Sequence, residues 1–510
     1  MKRFNVTGTC FPHMHYMANT SEKIEQIVKM IDLGDYFTIN RARQYGKTTT
    51  MRLLGNRLAS DYLVIHISFQ GIDIFSSQAD FVQGFYRMIE RSLKLQNVEN
   101  EILDAWSSDR TEIDFLELDD KITLLCQHSN KKIVLLIDEV DKSSDSQVFL
   151  SFLGLLREKY LNRDVIPTFH SVILAGVYDI KNLKLKLRSD EERKFNSPWN
   201  IAAKFDVDLS LSVTEIKSML VEYEADHTIG IDVAQIADSI HEYTSGYPFL
   251  VSRICLEIHD NTDLDWSYEG IVKAVKAILS EKNTLFDDIG KNLENNKKLY
   301  AFMYALLIQG KEYTYTVNNP EIETALMYGF IRVVDNRLFI HNKIFEVLIT
   351  NYFISKQETD TANKALLFKE EVTANGQFNM ELCFTKFSEY YQSAYNDKEI
   401  KFLEDNCKFI FLIYLQALIN GIGFYALESQ LSDRRRMDIV VYYGGKRYII
   451  ELKLWYGERE HERAYHQLLG YMNAQGEKEG YLLTFDFRQQ KEPRAEWIEL
   501  EGKKIYDCVV

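Results

Sequence analysis

Two groups of residues in this 510-residue sequence have types and spacings that suit phosphate chemistry. The first contains Gly46-Lys47-Thr48, which follows an apolar run and precedes an amphipathic one. Phosphates bind to backbone N–H groups at a helix N-terminus, with a lysine on the terminal phosphates and a hydroxyl on Mg²⁺. Lys47 and Thr48 have the residue types for these last two roles. Arg41 stands where the first glycine of the common Gly-x-x-x-x-Gly-Lys-[Ser/Thr] motif would be.

The other half of such a site is predicted at the end of the apolar run Ile133 to Ile137, which is followed by Asp138 and Glu139. In nucleotide hydrolysis an acid at a strand end holds Mg²⁺ through water, and a second residue orients the attacking water. We assign these roles to Asp138 and Glu139 and interpret Asp141 as a solvated neighbour. A Gly-Lys-Thr turn or a solvated acidic strand end is common alone, but the pair indicates a nucleotide site.

The second group lies on a predicted hairpin, in which Gly444-Gly445 joins two runs rich in β-branched and aromatic residues. Counting outward from this turn places Asp438 opposite Glu451. Like charges directly opposite each other destabilise a hairpin unless a cation lies between them, so the pair predicts a Mg²⁺ site. Lys453 shares the face of Glu451, where it would orient or activate the attacking water and stabilise negative charge. Charged hairpins also produce this pattern by chance.

The elements that would position the first group alternate along residues 1 to 210. Short β-rich runs separated by helical stretches predict a parallel sheet covered by helices, which is an α/β nucleotide-binding architecture. The predicted strands are Tyr36 to Ile39, Tyr62 to Ile67, Ile133 to Ile137, Val172 to Ala175 and Phe205 to Leu209.

The rest of the chain predicts further units. A Ser-Val-Thr-Glu capping signal at Ser212 begins a helical region, and residues 297–353 show the order helix, helix, hairpin that is typical of a winged helix. We predict a P-loop AAA-like ATPase core (1–211), a helical lid (212–290), a winged-helix unit (291–354), a linker and helical connector (355–400) and a nuclease-like domain (401–510).

Composition excludes several classes of protein. The formal net charge of -15 excludes a histone-like or coating protein, so nucleic-acid contact would require a local basic patch. The six cysteines stand far apart without metal-site spacing, which indicates reduced thiols. Without a signal peptide or a long apolar span, we expect a soluble cytoplasmic protein with no membrane partner.

Six segments resemble a bacterial family of predicted AAA-ATPases, which is related to the STAND and archaeal ATPases and commonly carries a nuclease-like C-terminal domain. They are Glu22-Lys23-Ile24, Tyr36 to Arg41, Gln44 to Thr49, Leu174 to Asp179, Asn196 to Ala202 and Ser245 to Val251. In this family an arginine replaces the first loop glycine.

The resemblance implies ATP and Mg²⁺ as cofactors. Nucleotide contacts are then expected from the loop and from the strand end, namely Arg41, Arg43, Tyr45, Gly46, Lys47, Thr48, Thr49 and Asp138, with Thr48 and Asp138 on the metal. Pro248, in Gly246-Tyr247-Pro248, would belong to a lid element that senses bound nucleotide. A plain loop between helices explains the same residues equally well. Arg188 and Arg193 are candidates for an arginine finger.

Asp438, Glu451 and Lys453 resemble the signature of the PD-(D/E)xK nuclease superfamily. Gln467, in Gln-x-x-x-Tyr spacing with Tyr471, matches a residue that some branches place beside the catalytic lysine, and Glu428 matches an extra acid from the preceding strand. The resemblance thus implies Glu428, Asp438 and Glu451 as metal ligands. Arg434 to Arg436 would contact phosphates or form a solvated basic turn.

Together these motifs predict a P-loop NTPase sheet with a helical lid and winged helix, followed by a PD-(D/E)xK-like α/β domain. The expected function is an ATPase whose nucleotide state controls a Mg²⁺-dependent nuclease acting on nucleic acid, with DNA as the expected substrate. Two alternatives are a STAND-like signalling switch whose C-terminal domain binds nucleic acid or a protein without cutting, and an ATPase with an unrelated partner-binding domain. Neither motif decides between a monomer and a homo-oligomer.

Overall fold

The structure is a computed structural model that describes residues 2–70, 77–106, 114–143, 147–177, 199–281, 283–309, 311–317, 319–356, 360–394, 400–428, 437–488 and 494–510. Its internal contacts divide the chain into two compact units. Unit 1 consists of Met1–His241, Gly246–Leu256 and Met327–Gly329, and unit 2 of Glu242–Ser245, Glu257–Leu326 and Phe330–Val510. The five domain boundaries expected from the sequence stay predictions.

The described residues of unit 1 contain a four-stranded, wholly parallel sheet in the order β1-β4-β3-β2. Its strands are β1 (Phe37–Asn40), β2 (Leu63–Ser68), β3 (Ile133–Asp138) and β4 (Ser171–Gly176). Every residue of β3 and β4 is buried, as expected for a parallel sheet covered on both faces. Four of the five predicted strands and the α/β class are confirmed.

The fifth predicted strand is wrong. Within the described residues, Phe205 to Leu209 does not join the sheet, and only Ala203 forms a bridge, to Phe37. The carbonyl of Val207 accepts a hydrogen bond from Arg41 Nη2 at 2.8 Å instead of pairing with a strand. The apolar alternation that suggested a strand is real, because Val207 and Leu209 are buried, but it belongs to an extended segment beside the sheet.

Helices cover both faces of this sheet. Helix α2 packs on β2, β3 and β4, while α3, α5 and α6 share a large apolar core with β2, β3 and β4. The helices of this part are α1 (Ser21–Asp32), α2 (Lys47–Leu58), α3 (Gln78–Leu95), α4 (Asn100–Trp106), α5 (Phe115–His128) and α6 (Gln147–Leu161). A 3₁₀ turn, Val140–Ser143, follows β3.

Three further helices follow, α7 (Val213–His227), α8 (Val233–Thr244) and α9 (Pro248–Asp260). The predicted start of α7 is confirmed, because the side chains of Ser212 and Glu215 cap it reciprocally. The turn between α8 and α9 contains Gly246, whose φ is +73° and whose carbonyl accepts the Leu211 N–H at 2.7 Å.

Unit 2 begins with helices and a small hairpin in the predicted order. They are α10 (Tyr268–Leu279), α11 (Thr284–Asn295), α12 (Lys297–Leu307), α13 (Pro320–Met327), β5 (Ile331–Val334), β6 (Arg337–Ile340) and α14 (Lys343–Lys356). The hairpin pairs Val334 with Arg337 across Asp335-Asn336, which confirms its predicted turn.

The described C-terminal residues form a six-stranded mixed sheet in the order β11-β12-β10-β9-β8-β7. The strands are β7 (Phe424–Glu428), β8 (Met437–Tyr443), β9 (Lys446–Leu454), β10 (Glu479–Phe485), β11 (Arg494–Leu500) and β12 (Lys503–Val509). β9, β10 and β12 are parallel, and the other pairings are antiparallel. The predicted register of the β8–β9 hairpin is confirmed, because Asp438 pairs with Glu451 and Tyr443 with Lys446.

Helices lie on both faces of this sheet. They are α15 (Asp360–Leu367), α16 (Lys369–Val372), α17 (Met380–Ala394), α18 (Ile400–Ile419) and α19 (Glu458–Gln475). One core joins α17 and α18 to the sheet through residues such as Phe384, Phe387 and Ile450. α19 packs on the opposite face, against Ile449 and Leu482. None of the described helices combines the length and the apolar composition that a bilayer span needs.

Gly246→Ala should destabilise unit 1 far more than Gly230→Ala, its matched control. Both glycines have a positive φ, but a Cβ at Gly246 would overlap the carbonyl of Leu211, whereas nothing lies within 4 Å of one at Gly230. We expect about 1 kcal/mol from the backbone conformation in the control and several kcal/mol in Gly246→Ala, measured as the free energy of unfolding. Equal losses would contradict the close approach.

Candidate functional site

The loop between β1 and α2 has the backbone of an anion-binding site. Gln44 and Gly46 both have a positive φ, 56° and 82°, which curls the chain so that successive N–H groups can converge. Among the described residues, no side chain caps α2, which begins at Lys47 directly after Gly46. The first N–H groups of α2 are therefore available to an anion, in keeping with the predicted phosphate loop.

The ammonium of Lys47 lies inside this loop. Its Nζ donates hydrogen bonds of 2.9 Å to the carbonyls of Arg41 and Ala42. Burial lowers the pKa of Lys47, and the opposing attraction comes first from Asp141 and then from Asp138 and Glu139. The predicted lysine and strand-end acids thus meet in one place.

Thr48 and Thr49 follow Lys47 in the first turn of α2, and both are half-buried. Thr49 Oγ1 accepts the Cys10 N–H at 3.2 Å, so the N-terminal segment reaches the loop.

Asp138 ends β3 and is 3% exposed. Its Oδ1 accepts the N–H of Glu139 at 2.9 Å. Glu139 itself has a φ of +58°, a conformation that residues other than glycine adopt rarely and at a cost of order 1–3 kcal/mol. Such backbone conformations concentrate at functional sites, which agrees with the role predicted for Glu139.

Asp141 is not the solvated neighbour that the sequence suggested. The 3₁₀ turn after β3 brings its side chain back to the sheet, where Oδ1 accepts the N–H of Val177 at 3.3 Å, just beyond β4. The sequence pattern Asp-Glu-Val-Asp does not by itself indicate this contact. A glycine at the end of β4, Gly176, was the available signal of a close approach.

Arg41, the arginine in place of the first glycine, connects the loop to the segment around Val207. Arg41 Nη1 and Nη2 donate to the carbonyls of Asn40 and Val207, each at 2.8 Å, and its guanidinium lies 5.4 Å from the ring centre of Phe205. Tyr45 OH lies 2.6 Å from Ser210 Oγ, so it also binds the segment after residue 204. Nucleotide contacts by the side chains of Arg41, Arg43 and Tyr45 stay predictions.

The predicted lid element lies against the phosphate loop. Tyr247 OH donates to the carbonyl of Arg43, and a Cβ at Gly46 would be 3.8 Å from Pro248 Cγ. Pro248 is also the first residue of α9. Gly246-Tyr247-Pro248 is therefore more than a loop between helices, because it contacts the residues expected to bind phosphate.

In the second group, pairing of β7, β8 and β9 aligns Glu428, Asp438 and Glu451 in one row. The side chains of Glu428 and Asp438 lie outside the description, as do Arg188, Arg193 and Arg434 to Arg436. Glu451 is fully buried, and Lys453 Nζ lies 2.6 Å from its Oε1 as an ion pair. Neither carboxylate oxygen accepts a hydrogen bond of normal geometry from the described residues.

A buried carboxylate with so few donors is costly, and a divalent cation is one group that offsets the cost. Among the side chains that the structure describes, no three His, Cys, Asp or Glu gather as a metal-binding set. Gln467 lies half-buried on α19, beside Leu468, which packs on the face of the sheet that carries Ile449.

A second polar cluster on this face has no counterpart in the sequence analysis. Asp507 is fully buried on β12. Its carboxylate lies 3.0 Å from His461 Nε2, accepts a hydrogen bond from Tyr465 OH at 2.8 Å and forms an ion pair with Arg494 Nε at 2.7 Å. These residues come from three distant stretches of chain, so spacing alone could not reveal the cluster. It fixes α19 against β11 and β12, because each polar group finds its partner on another element.

Comparison with known proteins adds the family. A family model described as an AAA-like domain matches residues 13–353, about two thirds of the chain. The chain belongs to the AAA-like domain family. This membership supports an ATPase-like function for the matched residues, and it leaves the C-terminal sheet outside the match. Among curated proteins, none matches this chain.

Three solved structures are similar to the chain. The Walker-type ATPase of Pyrococcus abyssi is 13% identical, covers 68% of this chain and 99% of its own, and gives a TM-score of 0.46. The ORC2 protein of Aeropyrum pernix in its ADP form is 13% identical, with coverages of 70% and 98% and a TM-score of 0.36. A RuvB mutant of Thermotoga maritima is 14% identical, with coverages of 63% and 92% and a TM-score of 0.30.

Proposed function

We propose that the protein is an ATP-binding P-loop ATPase whose nucleotide state controls a Mg²⁺-dependent nuclease in the C-terminal sheet, acting on DNA. The ATPase half rests on the buried ammonium of Lys47 inside a curled loop, with Asp138 and Glu139 nearby. The nuclease half rests on the buried carboxylate of Glu451, which is aligned with Asp438 across the hairpin.

In the nucleotide half, Lys47 would release the two loop carbonyls and bind the terminal phosphates, beside the N–H groups of α2. Thr48 and Asp138 have the oxygen donors that suit Mg²⁺, which when bound offsets the charge of the phosphates. Glu139 would orient the attacking water. Pro248, next to Gly46, would report whether phosphates fill the loop.

A cavity of about 320 Å³ in unit 1 suits the base and ribose. It is lined by Leu53 and Arg57 of α2, which lie about 9 and 15 Å along the helix axis from Lys47. His15 also lines it and is 3% exposed. Its Nδ1 accepts the Phe11 N–H at 2.9 Å, so the proton is on Nε2, which has no partner among the described residues and could donate to the ligand.

In the nuclease half, Glu451 and Asp438 would hold Mg²⁺, with Glu428 as a further ligand from β7. The metal when bound supplies positive charge to the cleaved phosphate. Lys453 would leave its ion pair with Glu451 to orient or activate the attacking water, and Gln467 would support Lys453. The row lies where β7, β8 and β9 run side by side, which holds these positions on a rigid sheet.

Control by nucleotide is supported by the short segment between the two halves. Tyr243 OH donates to Tyr442 OH of β8 at 3.2 Å. Four residues later, Tyr247 OH donates to the carbonyl of Arg43 in the phosphate loop. A rearrangement of the loop on binding phosphate would therefore displace Tyr247. Tyr243, four residues earlier, is hydrogen-bonded to β8, the strand that contains Asp438.

The rival function is a nucleotide-dependent switch whose C-terminal domain binds without cutting. The ion pair between Lys453 and Glu451 favours it, because a lysine can compensate a buried carboxylate without any metal. Metal linkage and cleavage assays separate the two functions.

Lys47→Ala should weaken ATP binding about tenfold or more, because it removes a charge-assisted hydrogen-bond donor to phosphate. Glu139→Gln should keep the affinity and slow hydrolysis on the order of 100-fold. Calorimetry and a phosphate-release assay measure the two effects. Lys94→Ala, which removes an exposed lysine, is the control. Unchanged ATP affinity in Lys47→Ala would contradict the assignment of the loop.

Mg²⁺ or Mn²⁺ should raise the melting temperature of the full chain, because a cation that binds only the folded hairpin stabilises it by linkage. Asp438→Asn should remove most of this rise and lower Mg²⁺-dependent DNA cleavage on the order of 100-fold, while the metal-free protein stays at least as stable, since repulsion with Glu451 is relieved. Asp335→Asn, in the β5–β6 turn, is the control. A stable Asp438→Asn protein with unchanged cleavage would exclude the assigned metal site.

Tyr243→Phe should reduce the effect of ATP on DNA cleavage and leave ATP affinity and ATP-free cleavage close to wild type. The substitution deletes one hydroxyl that bonds Tyr442 and Tyr268, and it keeps the ring. Cleavage is measured with and without ATP, and Tyr300→Phe, another tyrosine of unit 2, is the control. An unchanged response to ATP would show that control does not pass through this segment.

A further inference from the structure

Within the described residues of this stretch, which stop at Val177, the middle strand between the two halves of the nucleotide site contributes no polar side chain at its carboxyl end. β4 lies between β1, which leads into the phosphate loop, and β3, which ends in Asp138. Ligands of such sheets bind at the carboxyl ends of the strands. β4 ends in Ala175-Gly176, followed by Val177, so its own residues offer only backbone groups there.

The side chain of Asp141, from the 3₁₀ turn after β3, lies at the carboxyl end of β4. Its Oδ1 accepts the Val177 N–H at 3.3 Å, and a Cβ at Gly176 would lie 2.9 Å from that oxygen and 2.9 Å from Val140 Cγ2. Only a glycine therefore leaves room for the carboxylate. Its second oxygen, Oδ2, accepts no hydrogen bond from the part of the chain that the structure describes.

A third acid in this site makes the binding of metal-free ATP less favourable, because it adds negative charge near the phosphates. Asp138, Glu139 and Asp141 all act on Lys47, and Arg43 is a second cation that affects it. Among these described groups three acids face two cations, and metal-free ATP would add several more negative charges. Repulsion between like charges in a partly buried site is large enough to weaken binding, unless a divalent cation enters with the nucleotide. The arrangement therefore discriminates between forms of the same nucleotide.

We propose that Asp141 is a third carboxylate of the nucleotide site, which makes it select the magnesium complex of ATP over the metal-free nucleotide. This inference rests on the nucleotide half of the proposed function. The N–H of Val177 holds one oxygen of Asp141, and the charge of Asp141 would favour a cation that enters with the phosphates. Asp138 and Thr48 remain the metal ligands of the proposed site.

The test is the ratio of ATP dissociation constants in EDTA and in excess Mg²⁺, measured by calorimetry on the full chain. In Asp141→Asn, metal-free ATP should bind more tightly and the gain from Mg²⁺ should fall, so the ratio should drop about fivefold or more. Asparagine keeps an oxygen for the Val177 N–H, so the melting temperature should stay close to wild type. Asp61→Asn removes the same charge from an exposed position shortly after α2 and should leave the ratio unchanged.

Gly176→Ala provides a second variant, because its Cβ would displace the carboxylate without removing it. It should lower the ratio in the same direction. An unchanged ratio in a folded Asp141→Asn protein overturns the role of Asp141 alone and leaves the nucleotide site intact. Absence of ATP binding by the wild type, in EDTA and in Mg²⁺, overturns the proposed nucleotide site and this inference with it.

Discussion

The ammonium of Lys47 is buried in unit 1, and a buried charge is tolerated only where other groups compensate it. Two carbonyls of the phosphate loop, Asp138 at the end of β3 and two acids that follow it supply this compensation. The requirement explains the architecture around the site. A parallel sheet brings the end of β3 to the same edge as the end of β1, and the positive φ of Gly46 turns the chain back over the lysine.

Unit 2 contains a buried negative charge, the carboxylate of Glu451, which also needs compensation by other groups. Glu451 is fully buried in the middle of a rigid sheet, and a single lysine two residues away is its charged partner among the described residues. Asp507, on the same sheet, shows what full compensation looks like, because His461, Tyr465 and Arg494 all reach it. The contrast between these two carboxylates is physical: Asp507 is satisfied by its protein partners, whereas Glu451 accepts no hydrogen bond of normal geometry from the described residues.

The sequence carried enough information for features that depend on local chemistry. Strand period and the two-residue turn at Gly444-Gly445 gave the pairing of Asp438 with Glu451, and the capping signal at Ser212 gave the start of α7. Features that depend on distant contacts could not be predicted. Arg41 donates to the carbonyl of Val207, in a segment that does not join the sheet, and Asp141 accepts the N–H of Val177.

The connector between residues 355 and 400 shows the same limit. The polar residues at its start are typical of a linker, but Phe384 and Phe387 of α17 belong to the core on one face of the C-terminal sheet. The composition of a short stretch of sequence indicates only whether that stretch is exposed to solvent. The apolar face of a helix further along the chain becomes informative only when the surface it covers is known.

The segment from Tyr243 to Tyr247 also limits how strongly nucleotide could control the C-terminal sheet. The carbonyl of Gly246 accepts the N–H of Leu211 at 2.7 Å, and this hydrogen bond restrains the turn between Tyr243 and Tyr247. The contact at the other end is a hydrogen bond between two neutral hydroxyls, Tyr243 and Tyr442, which contributes about 1 kcal/mol. A bias of that size changes a two-state ratio about fivefold, far below the 10⁴-fold needed for an all-or-none switch. Control through this segment alone would therefore be graded, and a steeper response would require that further contacts of β8, such as those of Val440 and Tyr442 with Val347, change together with it.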